Sequence, residues 1–195
     1  MAEIRSTMDM VMERAAKMAA RAKDVPADQA AEEQGMRLVA EFLGGGESQP
    51  IDLLRQGDPA EQMALRRGMA RGLLRNIVLP RDEDLMEASK KATAGILNLG
   101  EAAGDITSVC NEFQQILDQY SGHREQVKQQ LDDSIRTQLA QQLQQQGGQV
   151  PDMEAIDPSL HPQYRQEWER ALGDLNEQYS QALEQRKEIL MQRFS

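Results

Sequence analysis

Few residues in this chain combine the type and spacing that chemistry needs. The two histidines, His123 and His161, belong to no recognised ligand array: there is no Glu-x-x-His pair, no His-Glu-x-x-His, and no second cysteine beside Cys110 for a thiolate pair. His123 follows a glycine at a potential helix break and His161 precedes a proline at a helix start, positions that suit local structure. The run Gly44-Gly45-Gly46 invites a phosphate-loop reading, but no strand pattern precedes it and no Gly-Lys-Ser/Thr follows, so it reads as a helix stop. No Gly-x-Ser-x-Gly elbow is present. Carboxylates are abundant, and on helical faces they serve as solvated surface or as partners of nearby arginines. The sequence therefore offers no catalytic, cofactor-binding or metal-ligating residues, and it reads as a non-enzyme.

Two patterns could bind rather than react. Arg67, Arg71 and Arg75 recur every four residues on one helix face, with Arg66 beside them and Glu61 the only acid between 59 and 80. Such a stripe either pairs with an acidic segment, Asp82–Glu87 or the C-terminal acids, or receives phosphate, RNA or an acidic partner protein. Aromatic residues are sparse around it, which weakens the nucleic-acid version. Near the start, Met8, Met12 and Met18 lie on the apolar stripe of an amphipathic helix over 6–23. Unbranched, polarizable thioethers make that stripe either an adaptable core or a docking surface.

The elements that position these residues are helices. From Leu85 to Tyr120 the chain repeats Leu85, Ser89, Ala92, Ile96, Leu99, Ala103, Ile106, Cys110, Phe113, Leu117 and Tyr120 in alternating steps of four and three. Only Ser89 is not apolar. A mean spacing of 3.5 keeps one face of a helix against a partner. The neighbouring row Ala88, Gly95, Ala102, Val109 and Ile116 widens that face, which suits a bundle more than a two-stranded zipper. Beyond residue 122 the apolar residues Val127, Leu131, Ile135, Leu139 and Leu143 step by four, so the stripe drifts and packing weakens. With no proline between Arg81 and Val150, one helix can run over 81–146, with Ser121-Gly122 its weakest point.

Composition agrees. Of 195 residues only 39% are hydrophobic and 4% aromatic, too few for a large compact core but enough for narrow seams between helices. A net charge of −10 disfavours nucleic acid and anionic lipid as general partners. Cys110, alone and at a seam position, has no intramolecular disulfide partner and reads as a small core hydrophobe. No signal peptide and no stretch of about 20 apolar residues is seen, so the expected setting is the cytoplasm.

Helix punctuation divides the rest. Asp24-Val25-Pro26 separates the first helix from one over 26–43, which the glycines end; Pro50 opens a short turn of helix over 50–56. Asp58-Pro59-Ala60-Glu61 starts a helix over 59–78, with Met63, Met69, Leu73, Leu74 and Ile77 on its buried side. The pairs Gly68/Gly72 and Gly100/Gly104 have the small-xxx-small spacing of close helix approach. After the glutamine-rich run 141–149 comes a linker over 147–157, and Asp157-Pro158 or the neighbouring His161-Pro162 starts a last helix over 158–194, with Tyr164, Trp168, Leu172, Leu175, Tyr179, Leu183, Leu190 and Phe194 on one face.

The opening MAEIRSTMDMVMER resembles the start of a family of uncharacterised helical bacterial proteins of unknown function. The resemblance implies a bacterial, cytoplasmic, helical protein and transfers no site. The expected fold is all-α: a helical region over 1–80 and a long antiparallel hairpin or coiled-coil-like bundle over 81–195. The expected role is a non-enzymatic scaffold or adaptor working through a protein partner or as a homo-oligomer, without cofactor, metal, small-molecule substrate, nucleic acid or membrane. The alternative is a holdase-like chaperone or secretion cofactor that binds apolar segments of a client.

Overall fold

The computed structural model describes Met12 and residues 26–146 and 152–195. Among them every regular element is helical: α1 (Ala27–Leu43), α2 (Pro50–Arg55), α3 (Gln62–Arg75), α4 (Glu83–Leu99), α5 (Gly104–Gln145), two 3-10 turns (Met153–Ala155 and Pro158–Leu160) and α6 (Tyr164–Arg193). The fold is all-α. Two compact units are present, one ending at Gly72 and including Phe194–Ser195, the other Leu73–Arg193. The sequence places this boundary at 80, whereas it falls inside α3.

In the first unit α1 and α3 approach at backbone distance. A Cβ at Gly35 would lie 2.3 Å from the Leu65 carbonyl oxygen, and one at Gly68 would lie 2.1 Å from that of Glu32. Only glycine allows this crossing. Val39, Phe42, Leu54, Ala64, Leu65 and Met69 are buried, and Phe194 is buried with Arg66 stacked 5.2 Å above its ring centroid. Met63, expected on the buried side, is instead 76% exposed. It precedes the first fully packed turn, because Asp58 holds Pro59–Glu61 as a separate turn by accepting the Ala60 N–H at 2.9 Å.

In the second unit α3 stops at Arg75, three residues before the expected end. The cause is Ser89, the one polar member of the seam. Its fully buried hydroxyl accepts the Val78 N–H at 3.1 Å and faces the carbonyls of Val78 (3.1 Å) and Asn76 (3.4 Å). The backbone of the turn after α3 is satisfied by a side chain instead of by another helical turn. Asp82 then caps α4 by accepting the Leu85 N–H at 2.9 Å.

The single helix expected over 81–146 is two helices. It breaks at residues 100–103, and α5 runs unbroken through Ser121-Gly122 for 42 residues. The joint closes like a Schellman motif: Ala102 N–H reaches the Leu97 carbonyl at 2.9 Å and Glu101 N–H the Asn98 carbonyl at 3.1 Å. That motif wants glycine in the left-handed region, yet Glu101 and Ala102 take φ of 51° each, while Gly100 has φ −86°. Each non-glycine residue held so costs about 1–2 kcal/mol. What offsets it is α4 folding back on α5, so that the two halves of the seam, Ser89 to Leu99 and Ile106 to Tyr120, are buried in one core. The Gly100/Gly104 pair therefore marks a turn and is not a helix crossing.

Helices α5 and α6 run antiparallel. Their cross-ties step up one helix as they step down the other: Asp105 with Arg193, Glu112 with Arg186, Tyr120 with Asn176, His123 with Tyr179, Asp132 with Tyr164. The last helix starts at Tyr164, after His161-Pro162 and not at Asp157-Pro158, because Asp157 and Pro158 initiate a 3-10 turn whose Ser159 N–H bonds the Asp157 carboxylate at 2.9 Å. Ile156 and Pro158 are buried, and Arg136 Nε donates to the Ile156 carbonyl at 3.3 Å, fastening this connection to α5 near the fully buried Ile135.

Candidate functional site

The arginine stripe meets one carboxylate. Glu32, on α1, accepts from Arg67 Nε at 2.5 Å and from an Arg71 terminal nitrogen at 2.7 Å. The Glu32 side chain is mostly buried, whereas Arg71 is about half exposed. The acid that engages these two arginines is thus Glu32, not the 82–87 run or the C-terminal acids. Arg75 is exposed in the last turn of α3. Of the methionines singled out, Met12 is helical and 66% exposed; Met8 and Met18 lie outside the described residues.

Within the hairpin a polar–aromatic cluster that spacing did not reveal sits between α5 and α6. Tyr179 packs edge-on against Tyr120 (5.5 Å, 70°) and against His123 (5.7 Å, 78°). The Tyr179 hydroxyl lies 2.6 Å from His123 Nδ1, and the Tyr120 hydroxyl donates to Asn176 Oδ1 at 2.7 Å. Burial pushes the Tyr120 phenol up from its ordinary value. Leu175 completes the core here, with Leu79 and Ile116 against it. The signal that could have found this cluster is the pairing of the aromatic positions on two helices, which becomes visible only once the antiparallel register is known. As arranged, the groups satisfy each other and fix the register; they present no nucleophile with a free general base.

Cys110 is buried, and desolvation pushes its thiol up to about 12, so it is protonated and inert at neutral pH. Among the described residues no group of three or more His, Cys, Asp or Glu could hold a metal ion, and no helix is long and apolar enough to cross a membrane. A hollow of 230 Å³ lies between the start of α4 and the middle of α5. Its rim carries both signs, Arg81 and Arg124 against Asp82, Glu83 and Glu125, so it selects neither anions nor cations. Arg124 there donates to the Arg81 carbonyl at 3.0 Å and stacks 6.0 Å from the Trp168 centroid, a structural tie across three segments.

The end of the hairpin differs. The last helical tie between α5 and α6 is the bond that the Tyr164 hydroxyl donates to Asp132 at 2.6 Å. Past it, α5 continues to Gln145 while α6 has not yet begun. Leu139 and Ala140 on this overhang are half-buried, and Leu143 is exposed, as are Met153 and Leu160 (77%) in the two 3-10 turns that pack on α5. Leu143, Met153 and Leu160 are three of the six exposed large apolar side chains among the described residues, the others being Met12, Met63 and Ile189.

Comparison with curated proteins finds no match, nor does comparison with solved structures. A family match does exist, and it runs from within α2 to the end of α6, away from the opening segment that carried the resemblance. Matching over residues 52–192, the greater part of its length, the chain belongs to the Family of unknown function (DUF6657).

Proposed function

We propose that this protein is a non-enzymatic helical adaptor of the bacterial cytoplasm that engages a protein partner, or a second copy of itself, through the end of the α5–α6 hairpin. The observation that carries the reading is the exposure of Leu143 on the α5 overhang and of Met153 and Leu160 in the connection that packs on α5. The side-chain ties at Asp132, His123 and Tyr120 support it, because they stiffen the hairpin and present its end as a pre-organised surface. The test is affinity purification of the native complex with the wild-type chain and with Leu143→Gln/Met153→Gln/Leu160→Gln. The partner should accompany the first and be lost from the second while helix content stays equal. A partner retained by the variant contradicts this placement.

A second reading, a holdase for apolar client segments, draws on the 66% exposure of Met12, since an exposed thioether suits promiscuous apolar contact. It requires that the chain suppress aggregation of an unfolded client and that Met12→Ser weaken the effect. Unchanged aggregation in the presence of the wild-type chain removes it.

A further inference from the structure

We propose that residues 100–103 form a hinge at which α4 and α5 can fuse into one continuous helix, whose seam then pairs with a second copy of this chain. Three observations lead here. The apolar seam keeps its four–three phase straight across the break, from Ile96 and Leu99 through Ala103 to Ile106 and Cys110. A hairpin joint imposes no such phase, whereas a single helix does. At the joint the left-handed positions are filled by Glu101 and Ala102, each with φ 51°, while the glycines on either side, at 100 and 104, lie outside the left-handed region, Gly100 leaving room for the Ile106 side chain instead. A chain shaped only for the hairpin would carry glycine at 101. Finally, Ala103, the one seam residue within the joint, is exposed in the hairpin and rejoins the apolar face only in a straight helix.

The occupant of the opened seam follows from symmetry. In the hairpin the Ser89–Leu99 half is covered by α5; in a straight helix it would be laid open. A seam of heptad spacing is self-complementary, so an identical seam on a second copy covers it through an isologous contact. Whatever partner the hairpin end takes, this exchange is separate from it.

Two labels read the change directly. Lys90 on α4 and Asp118 on α5 are both exposed, on helices that pack side by side in the hairpin. In a continuous helix they would stand about 40 Å apart at 1.5 Å per residue. The full-length chain carrying Cys110→Ser, Lys90→Cys and Asp118→Cys is spin-labelled and its distance distribution measured by pulsed dipolar spectroscopy as concentration rises. A long distance near that value should appear with concentration, alongside a dimer in sedimentation. Gly100→Ala/Gly104→Ala, which raises helix propensity at the joint and sets a Cβ against the Ile106 side chain in the hairpin, should enlarge it several-fold. Glu101→Gly/Ala102→Gly, which relieves the left-handed residues, should abolish it. Only the short distance in the wild-type labelled chain at every concentration overturns the proposal, as does a long distance that Glu101→Gly/Ala102→Gly leaves undiminished. Both hold even if the alanine variant fails to fold.

Discussion

Ser89 accepts the backbone N–H of Val78 at 3.1 Å, and this hydroxyl decides where α3 ends. With its side chain fully buried, no water is at hand to take over. Ser89→Ala leaves the Val78 N–H and the neighbouring carbonyls without that partner, at an expected cost of about 1–3 kcal/mol. Urea unfolding should show a lower midpoint with an unchanged slope. An unchanged midpoint would mean that α3 simply extends into the turn.

Glu32 holds two guanidinium groups from a mostly buried position. Glu32→Gln should therefore destabilise by about 1.5–3 kcal/mol, the range for hydrogen bonds to charged groups. Arg67→Ala should follow, and Arg71→Ala, whose side chain is half exposed, should cost less than about 1 kcal/mol. Chemical denaturation of the three variants checks the order. Equal losses would mean that Arg71 contributes as much as Arg67 despite its exposure.

Tyr164 gives the hairpin a pH signature. Its bond to Asp132, followed by burial and the Asp132 charge, pushes the phenol from an ordinary 10.0 up to about 12. A folded-state value above the unfolded one means that the stabilisation is complete below pH 10.0 and is lost as pH rises through about 12. The thermal midpoint of the wild-type chain should fall across that window, and Tyr164→Phe should flatten the fall. The variant should be the less stable protein near neutrality and the less sensitive one in alkali.

Helix identity was legible in the sequence because the 3.5-residue seam and the Asp/Pro starts are local signals. The breaks were less so. The uninterrupted phase of the seam and the lack of proline favoured one helix over 81–146, and the fold-back at 100–103 wins only through burial of one half of the seam by the other, a tertiary effect that local propensity does not contain. The same holds for the early end of α3, decided by a serine 11 residues further on, and for the pairing of Arg67 and Arg71 with Glu32, 35 and 39 residues away. The sequence marked Arg67, Arg71 and Arg75 as a stripe that either pairs with acids of this chain or binds a partner; it passed over the Tyr120–His123–Tyr179 cluster, whose members fall on separate helices. The hairpin end was visible only as a sparse, glutamine-rich tail, since the exposure of Met153 and Leu160 depends on how the connection lies against α5.

Stability should be uneven along α5. Ile106, Cys110, Phe113, Leu117 and Tyr120 are buried in its first half, and only Ile135 is buried beyond residue 122 among the described residues. Ile106→Ala should cost about 2–5 kcal/mol, whereas Gln145→Ala, at an exposed position, should lie within about 0.5 kcal/mol of the wild type. Thermal unfolding measured by circular dichroism separates the two. Comparable losses would mean that the far arm is clamped as firmly as the seam.

Hydrogen exchange of the free chain against the purified native complex tests most directly whether the hairpin end is the working surface. In the free chain the amides of Ile106–Tyr120 should exchange slowest and those of Gln138–Gln145 among the fastest. On binding, protection should rise at Gln138–Gln145 and over 152–160 and stay unchanged at Ile106–Tyr120. Protection gained elsewhere, with the hairpin end still exchanging as in the free chain, would contradict the account.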